Sequence, residues 1–317
     1  MNKKKNKIKI IIILLLLILT TGCTKSLVDE NKKAVKNPNT GQTLTENILC
    51  QPTDKETIKA YEKAGVKINK LPKCEDLKIN SGGYDGLWSS LIVKPLSWTL
   101  IKIGGFVNSY AISLIILTLI IRLIIFPLTL NMAKQSEIMK EMQPKMKKIQ
   151  KKYAGKDDQE SMMKMQQETM MLYKEFHVNP ALGCIFSFLQ LPLLLGFFEA
   201  VQRTPAIFEA NFLGLQLGTT INVGIKTPLF YAYLILLILI AGSTFLSFKM
   251  NQADMAAPAG ASEAMPSMKM MPYMMSIMII VMGIFMPSGL CIYWVTSNLF
   301  TIIQNLAVKR RKKNGKA

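Results

Sequence analysis

Few residues of this sequence have the type and spacing that bond-making chemistry needs. The five cysteines, Cys23, Cys50, Cys74, Cys184 and Cys291, show no metal-ligand spacing, and the single histidine, His177, stands alone at a helix end. Neither a metal site nor a Cys/His nucleophilic pair follows, and no cofactor is implied. Ser243 and Ser276 lie in apolar runs without a partner base. Gly104-Gly105 and the other glycine pairs lack phosphate-loop spacing. Glu199 and Arg203, four residues apart near the end of an apolar stretch, have the spacing of an ion pair on one helix face. What remains is a single cation, Arg122.

Arg122 is the only charged residue between Asn108 and Leu130. The stretch 108–130 is long enough to cross a bilayer. As a helix it places Arg122 about 20 Å from the first residue and about 12 Å from the last, inside the hydrocarbon. Such an arginine costs about 2.5–3.5 kcal/mol on insertion scales and usually faces a bundle interior or a water-filled cavity. The other reading is snorkelling, with the side chain bent to the nearer interface. Pro127, one turn on, removes a backbone hydrogen bond and loosens that end. Gln190, Trp294, Asn298 and Thr129 also sit within or at the end of apolar runs and are candidate polar lining for a cavity around Arg122. Their structural alternatives are an interface anchor for Trp294 and interhelical hydrogen bonds of about 0.6 kcal/mol each for Gln190 and Asn298.

The elements that must position these residues belong to a membrane protein. Half of the 317 residues are hydrophobic (50%) and the formal net charge is +19. A soluble nucleic-acid binder carries its positive charge on a polar fold, so DNA is not an expected partner. The combination fits several spans with Lys and Arg concentrated in cytoplasmic segments.

Residues 1–22 have a lysine-rich start, an apolar core and small residues before Cys23, the pattern of an export signal. Thr20-Thr21-Gly22-Cys23 resembles a bacterial lipobox, in which cleavage leaves Cys23 as a lipid-modified (palmitoylated) N-terminus outside the cell. An uncleaved signal anchor is the alternative. Residues 23–83 are polar, the first half reading as a tether. Cys50 and Cys74 both fall in this exported segment, either bridged by a disulfide or left as two free thiols.

Residues 84–107 mix Trp88 and Trp98 with aliphatic residues, Lys94-Pro95 and Lys102, the signature of a helix lying in the membrane interface; a span broken by Pro95 is the rival reading. Residues 108–308 hold five apolar stretches. A polar insertion at 131–178 carries two stripes at alternating steps of three and four: Met139, Met142, Met146, Ile149, Tyr153, then Met162, Met165, Thr169, Leu172, Phe176. With Gly155 between them they predict an antiparallel helical hairpin. Its lysines, and the basic tail at 309–317, place both in the cytoplasm. The expected fold is an all-α integral membrane protein of five transmembrane helices, with a cytoplasmic two-helix hairpin and an N-terminal interfacial amphipathic helix.

From residue 84 to the end the sequence resembles the YidC/Oxa/Alb membrane-protein insertases. The resemblance rests on Leu87-Trp88 through Lys94-Pro95-Leu96-Ser97-Trp98, Ile121-Arg122-Leu123 with Pro127-Leu128-Thr129, and Met170-Met171-Leu172-Tyr173-Lys174. It continues with Val178-Asn179-Pro180, Gly183-Cys184, Leu189-Gln190-Leu191-Pro192, Pro287-Ser288-Gly289-Leu290, Tyr293-Trp294 and Ser297-Asn298. It implies a groove open to cytoplasm and lipid, centred on Arg122, with the hairpin receiving substrates. The implied activity is non-enzymatic: insertion and folding of nascent membrane proteins, alone or beside the Sec translocon and ribosome. The lipid-anchored N-terminus resembles the Gram-positive form. A small-solute transporter holding an anionic substrate at Arg122 is the alternative, weakened by the lack of an inverted repeat.

Overall fold

The computed structural model describes residues 25–156, 158–179, 181–250 and 271–315. The export signal and Cys23 lie outside the described residues. The chain forms two compact units. One comprises the described residues of Met1–Thr118 with Leu191–Ile238 and Met282–Trp294; the other comprises those of Leu119–Gln190, Leu239–Val281 and Val295–Ala317.

The first unit begins with a small folded segment where the sequence suggests a tether. Three antiparallel bridges, Ser26 with Thr45, Val28 with Ala34 and Lys36 with Thr43, fold residues 26–45 back on themselves. Helix α1 (Lys55–Lys63) is capped by Asp54, whose carboxylate accepts from the Thr57 N–H at 2.8 Å. Leu27, Leu44, Ile48, Tyr61 and Ile68 close a core between them. These five positions are widely and unevenly spaced, so no helical or strand period announces the core. Cys50 and Cys74 are disulfide-bonded, with Cα atoms 4.8 Å apart.

Helix α2 (Gly86–Val107) runs unbroken through Lys94-Pro95. A regular turn would drive the proline ring into the carbonyl four residues earlier. The turn over Ser89–Val93 is widened instead, with the Lys94 N–H bonded to the Ser89 carbonyl. Asn108, at φ +52°, turns the chain into α3 (Tyr110–Ile124). Gly104 makes room for this turn, because a Cβ there would meet Tyr110 Cδ1 at 2.4 Å.

The rest of the first unit gathers helix ends. The C-terminal part of α6 (Ala181–Arg203) leads into a two-stranded hairpin, β1 (Asn211–Phe212) and β2 (Leu215–Gln216). The chain then enters α7 (Phe230–Met250). Helices α8 (Met271–Ile284) and α9 (Ser288–Lys313) are joined by three residues, of which Pro287 bridges to Thr220. The Ser288 and Gly289 N–H groups donate to the Thr219 and Leu217 carbonyls at 2.9 and 2.8 Å. Phe197 of α6 stacks on Tyr293 of α9 with ring centroids 4.3 Å apart.

In the second unit α4 (Phe126–Tyr153) leaves α3 at a bend of 70°. Pro127, in the first turn of α4, is where a proline is tolerated. The bend falls inside the apolar stretch 108–130, so the polar helix begins at Phe126 rather than Asn131. After Gly155 (φ +75°) and the Asp158 cap comes α5 (Gln159–Glu175). α4 and α5 run antiparallel, burying Met139, Met142, Met146, Leu172, Tyr173 and Val178 together, with Lys145 paired to Glu175 and Lys152 to Glu168 along the seam. The first methionine stripe is thus the contact between the two helices. Met162, from the second, is exposed, as are Met163, Met170 and Met171.

Among the described residues, three helices are long and apolar enough to cross a membrane: Gly86–Val107, Phe230–Met250 and Ser288–Arg311. The bent pair α3–α4, counted as one, makes four. The protein is an all-α, multi-pass membrane protein.

Candidate functional site

Arg122 lies in the last turn of α3, among leucines and isoleucines, and only 4% of it is exposed. Its Nη2 donates to Gln190 Oε1 of α6 at 3.0 Å and to Ser297 Oγ of α9. Both acceptors are neutral, so the hydrogen bonds satisfy donors without neutralising the guanidinium. A charge this buried survives only with such bonds. Bringing together an arginine, an amide and a hydroxyl from three helices is the polar arrangement a membrane interior tolerates when its groups are mutually satisfied.

Two further polar contacts flank it within the same unit. Thr129 Oγ1, in the first turn of α4, donates to Gln304 Oε1 of α9 at 3.1 Å. Asn298 Nδ2 reaches α7, donating to Ser243 Oγ at 3.3 Å and Thr244 Oγ1 at 3.0 Å. Of the residues named from the sequence, Gln190 joins Arg122 directly. Thr129 and Asn298 make their own interhelical bonds, and Trp294 is half-buried on α9 within the first unit. Cys50 and Cys74 are bonded to each other in the folded segment of the first unit. Ser297 and Gln304 are contributors the lining list lacked. They stand seven residues apart on α9, with Asn298 and Thr301 between, so the helical phase carries the signal.

The first unit holds a second buried polar cluster, which involves the pair Glu199 and Arg203. Arg203 is 2% exposed. Its Nη2 lies 2.7 Å from Asp85 Oδ2, Nη1 donates to Ser89 Oγ at 2.8 Å, and Nε donates to the Asn47 carbonyl at 2.8 Å. Glu199 is farther, 3.7 Å from Nη1, and accepts from Trp88 Nε1 at 3.0 Å. Partial burial alone would raise the Asp85 carboxyl; the hydrogen bonds from Arg203 and Ser89 outweigh it, and the net pKa is lowered. Lys94 is buried one turn on, its Nζ donating to the Ser81 and Gly83 carbonyls at 2.8 and 2.6 Å. The cluster ties residues 47–94 to the end of α6. Among the described residues no group of three or more His, Cys, Asp or Glu could hold a metal ion.

The family described as 60Kd inner membrane protein matches residues 102–316. Membrane protein insertase YidC 1 of Listeria monocytogenes serotype 4b is 42% identical over 230 residues, covering 72% of this chain and 74% of its own. Membrane protein insertase MisCA of Bacillus subtilis is 39% identical over 223 residues, 70% of this chain and 79% of its own. A crystal structure of an active YidC insertase with its first transmembrane domain resolved shares the fold at a TM-score of 0.50 and 22% identity; the match covers 78% of this chain and 52% of that one. The chain belongs to the YidC/Oxa/Alb family of membrane insertases.

Proposed function

We propose that the protein inserts membrane proteins into the bilayer and assists their folding, without catalysing a covalent reaction. The observation that carries this reading is Arg122: a buried cation in an otherwise uncharged helix, bonded to Gln190 and Ser297. In the proposed mechanism the α4–α5 pair meets a nascent segment on the cytoplasmic side. The segment's polar or acidic flank enters a groove beside Arg122, lined by Gln190, Thr129, Asn298 and Trp294, while its apolar part passes into lipid. Lipid partitioning and the membrane potential, worth about 2.3 kcal/mol per charge per 100 mV, supply the drive.

In this reading five crossings are made by α3, α6, α7, α8 and α9, and α2 lies in the interface. The exposed Lys102 of α2, together with its exposed Leu87, Leu91 and Phe106, supports the interfacial placement. Cys23 carries the lipid anchor on the outer face of a bacterial cell membrane, and the tail from Lys309 onward is cytoplasmic. Nascent membrane proteins are the partners, with the Sec translocon and the ribosome as co-workers and bilayer lipids as surroundings.

Depletion of the protein in a strain without a paralogue, followed by pulse-labelling of a one- or two-span substrate, tests the reading. The substrate's exported flank is expected to stay protease-protected in the cytoplasm. Unchanged insertion would overturn the proposal, and loss of anionic-solute uptake in its place would favour transport.

A further inference from the structure

The β1–β2 hairpin carries an apolar tip that insertion beside Arg122 does not use. Leu213 and Gly214 are its two turn residues, at φ +50° and +85°. Both angles positive is the pattern of a type I′ turn, for which Asn, Asp and Gly are the favoured residues. A leucine there strains its own backbone, and this one is 82% exposed. Local stability and water contact both argue against leucine at this position.

The base of the hairpin is fixed. Leu217 and Gly218 N–H donate to the Ala210 and Phe208 carbonyls at 2.9 and 2.8 Å. The Gln216 N–H donates to the Tyr233 hydroxyl of α7 at 3.2 Å, and Ser288 Oγ of α9 donates to the Gln216 carbonyl at 2.7 Å. The turn itself lies on the residue before α7, since a Cβ built on Gly214 would meet Leu229 Cδ1 at 3.1 Å. Leu229, Phe230 and Tyr231 are exposed around it, and further along α7 so are Leu234, Ile235 and Ile238. An apolar surface therefore continues from the side of a membrane-crossing helix to the hairpin tip, with Phe230, Tyr231 and the nearby exposed Lys226 at its water end. Aromatic rings and lysine at such a margin mark the headgroup level of a bilayer.

We infer that Leu213 is a lipid-embedded finger, held by the hairpin at the boundary of headgroups and acyl chains in the leaflet where α7 begins. It fixes the depth of that end of α7. The assignment of this leaflet as the outer one rests on the proposed topology; the contact with lipid does not.

The test uses the full-length protein with Leu213→Trp, reconstituted in phosphatidylcholine vesicles containing lipid brominated near the headgroup end of its acyl chains. The emission of variant minus parent is expected to be blue-shifted, quenched by bromolipid and insensitive to aqueous iodide. Iodide quenching without bromolipid quenching would put the tip in water and overturn the inference; protection from both would put it against protein and overturn it equally. Leu213→Asn, which relieves the turn, is expected to unfold in detergent at the same or a higher temperature than the parent. A lower temperature would make Leu213 a packing residue and refute the finger. A reversed topology would leave the bromolipid result intact and change only the vesicle side from which iodide quenches headgroup-level probes.

Discussion

Arg203 Nη2 lies 2.7 Å from Asp85 Oδ2, so the last residue of α6 grips the residue immediately before α2. The arginine is 2% exposed and the aspartate side chain 43%. Removing one partner of a fully buried pair costs about 3–5 kcal/mol because the other charge is stranded. Solvent around Asp85 lowers that figure, and Ser89 and the Asn47 carbonyl remain as partners. Asp85→Ala is therefore expected to cost about 2 kcal/mol, read as a fall of several degrees in the unfolding temperature of the purified protein. Asp85→Asn, which keeps an acceptor, should fall less.

The disulfide between Cys50 and Cys74 closes a loop with a sequence separation of 24. On the chain-entropy account such a loop contributes about 3–4 kcal/mol. Cys50→Ala with Cys74→Ala should expose residues 50–74 to limited proteolysis while leaving α4 and α5 as resistant as in the parent. Equal loss of resistance in both places would mean the bridge supports the whole chain.

Glu209 and Asp85 respond to pH in opposite directions. Burial pushes the Glu209 carboxyl up, and the bonds it accepts from the Thr53 N–H and hydroxyl, at 2.9 and 2.6 Å, offset this only in part. A group raised on folding stabilises below its unfolded value and loses that contribution as pH rises through the folded one. Acidification from about pH 8 toward the ordinary glutamate range should therefore add to stability through this carboxyl, read as its contribution to the unfolding temperature of the purified protein. Glu209→Gln should flatten the profile. The lowered Asp85 carboxyl stays ionised across that range, so the Arg203 grip should not change with it.

Asn298 Nδ2 links α9 to α7 through Ser243 and Thr244. At about 0.6 kcal/mol per interhelical bond, Asn298→Ala should cost about 1 kcal/mol of stability in bicelles. A double-mutant cycle with Thr244→Val should recover about half of that as coupling. Additivity of the two substitutions would show that the bond contributes nothing.

The chemistry of the site was more legible in the sequence than its connections. Arg122 announces itself as the one charge in an apolar run, and Gln190 and Asn298 as polar residues where apolar ones belong. That Gln190 meets Arg122, 68 positions earlier, depends on how α3 and α6 pack, which no local pattern encodes. Arg203 illustrates the same limit: helical spacing offers Glu199 as its partner, yet Asp85, brought in from a loop, lies closer. The bend after Ile124 has a readable cause in Pro127, whereas its angle depends on what α4 packs against. The fold of residues 26–71 was hidden for a different reason. Leu27, Leu44, Ile48, Tyr61 and Ile68 each come from a separate turn of chain, and an aperiodic core leaves no trace in a periodicity search.

In the proposed mechanism Arg122 attracts a passing acidic flank. The most direct test of that attraction is the insertion rate of two substrates into proteoliposomes, identical but for an acidic or a neutral exported flank, with the parent, Arg122→Lys and Arg122→Ala. Arg122→Lys is expected to keep most of the rate on both. Arg122→Ala should lose about tenfold on the acidic substrate, equivalent to about 1.4 kcal/mol of lost attraction, and little on the neutral one. Equal rates for all three proteins on the acidic substrate would contradict it.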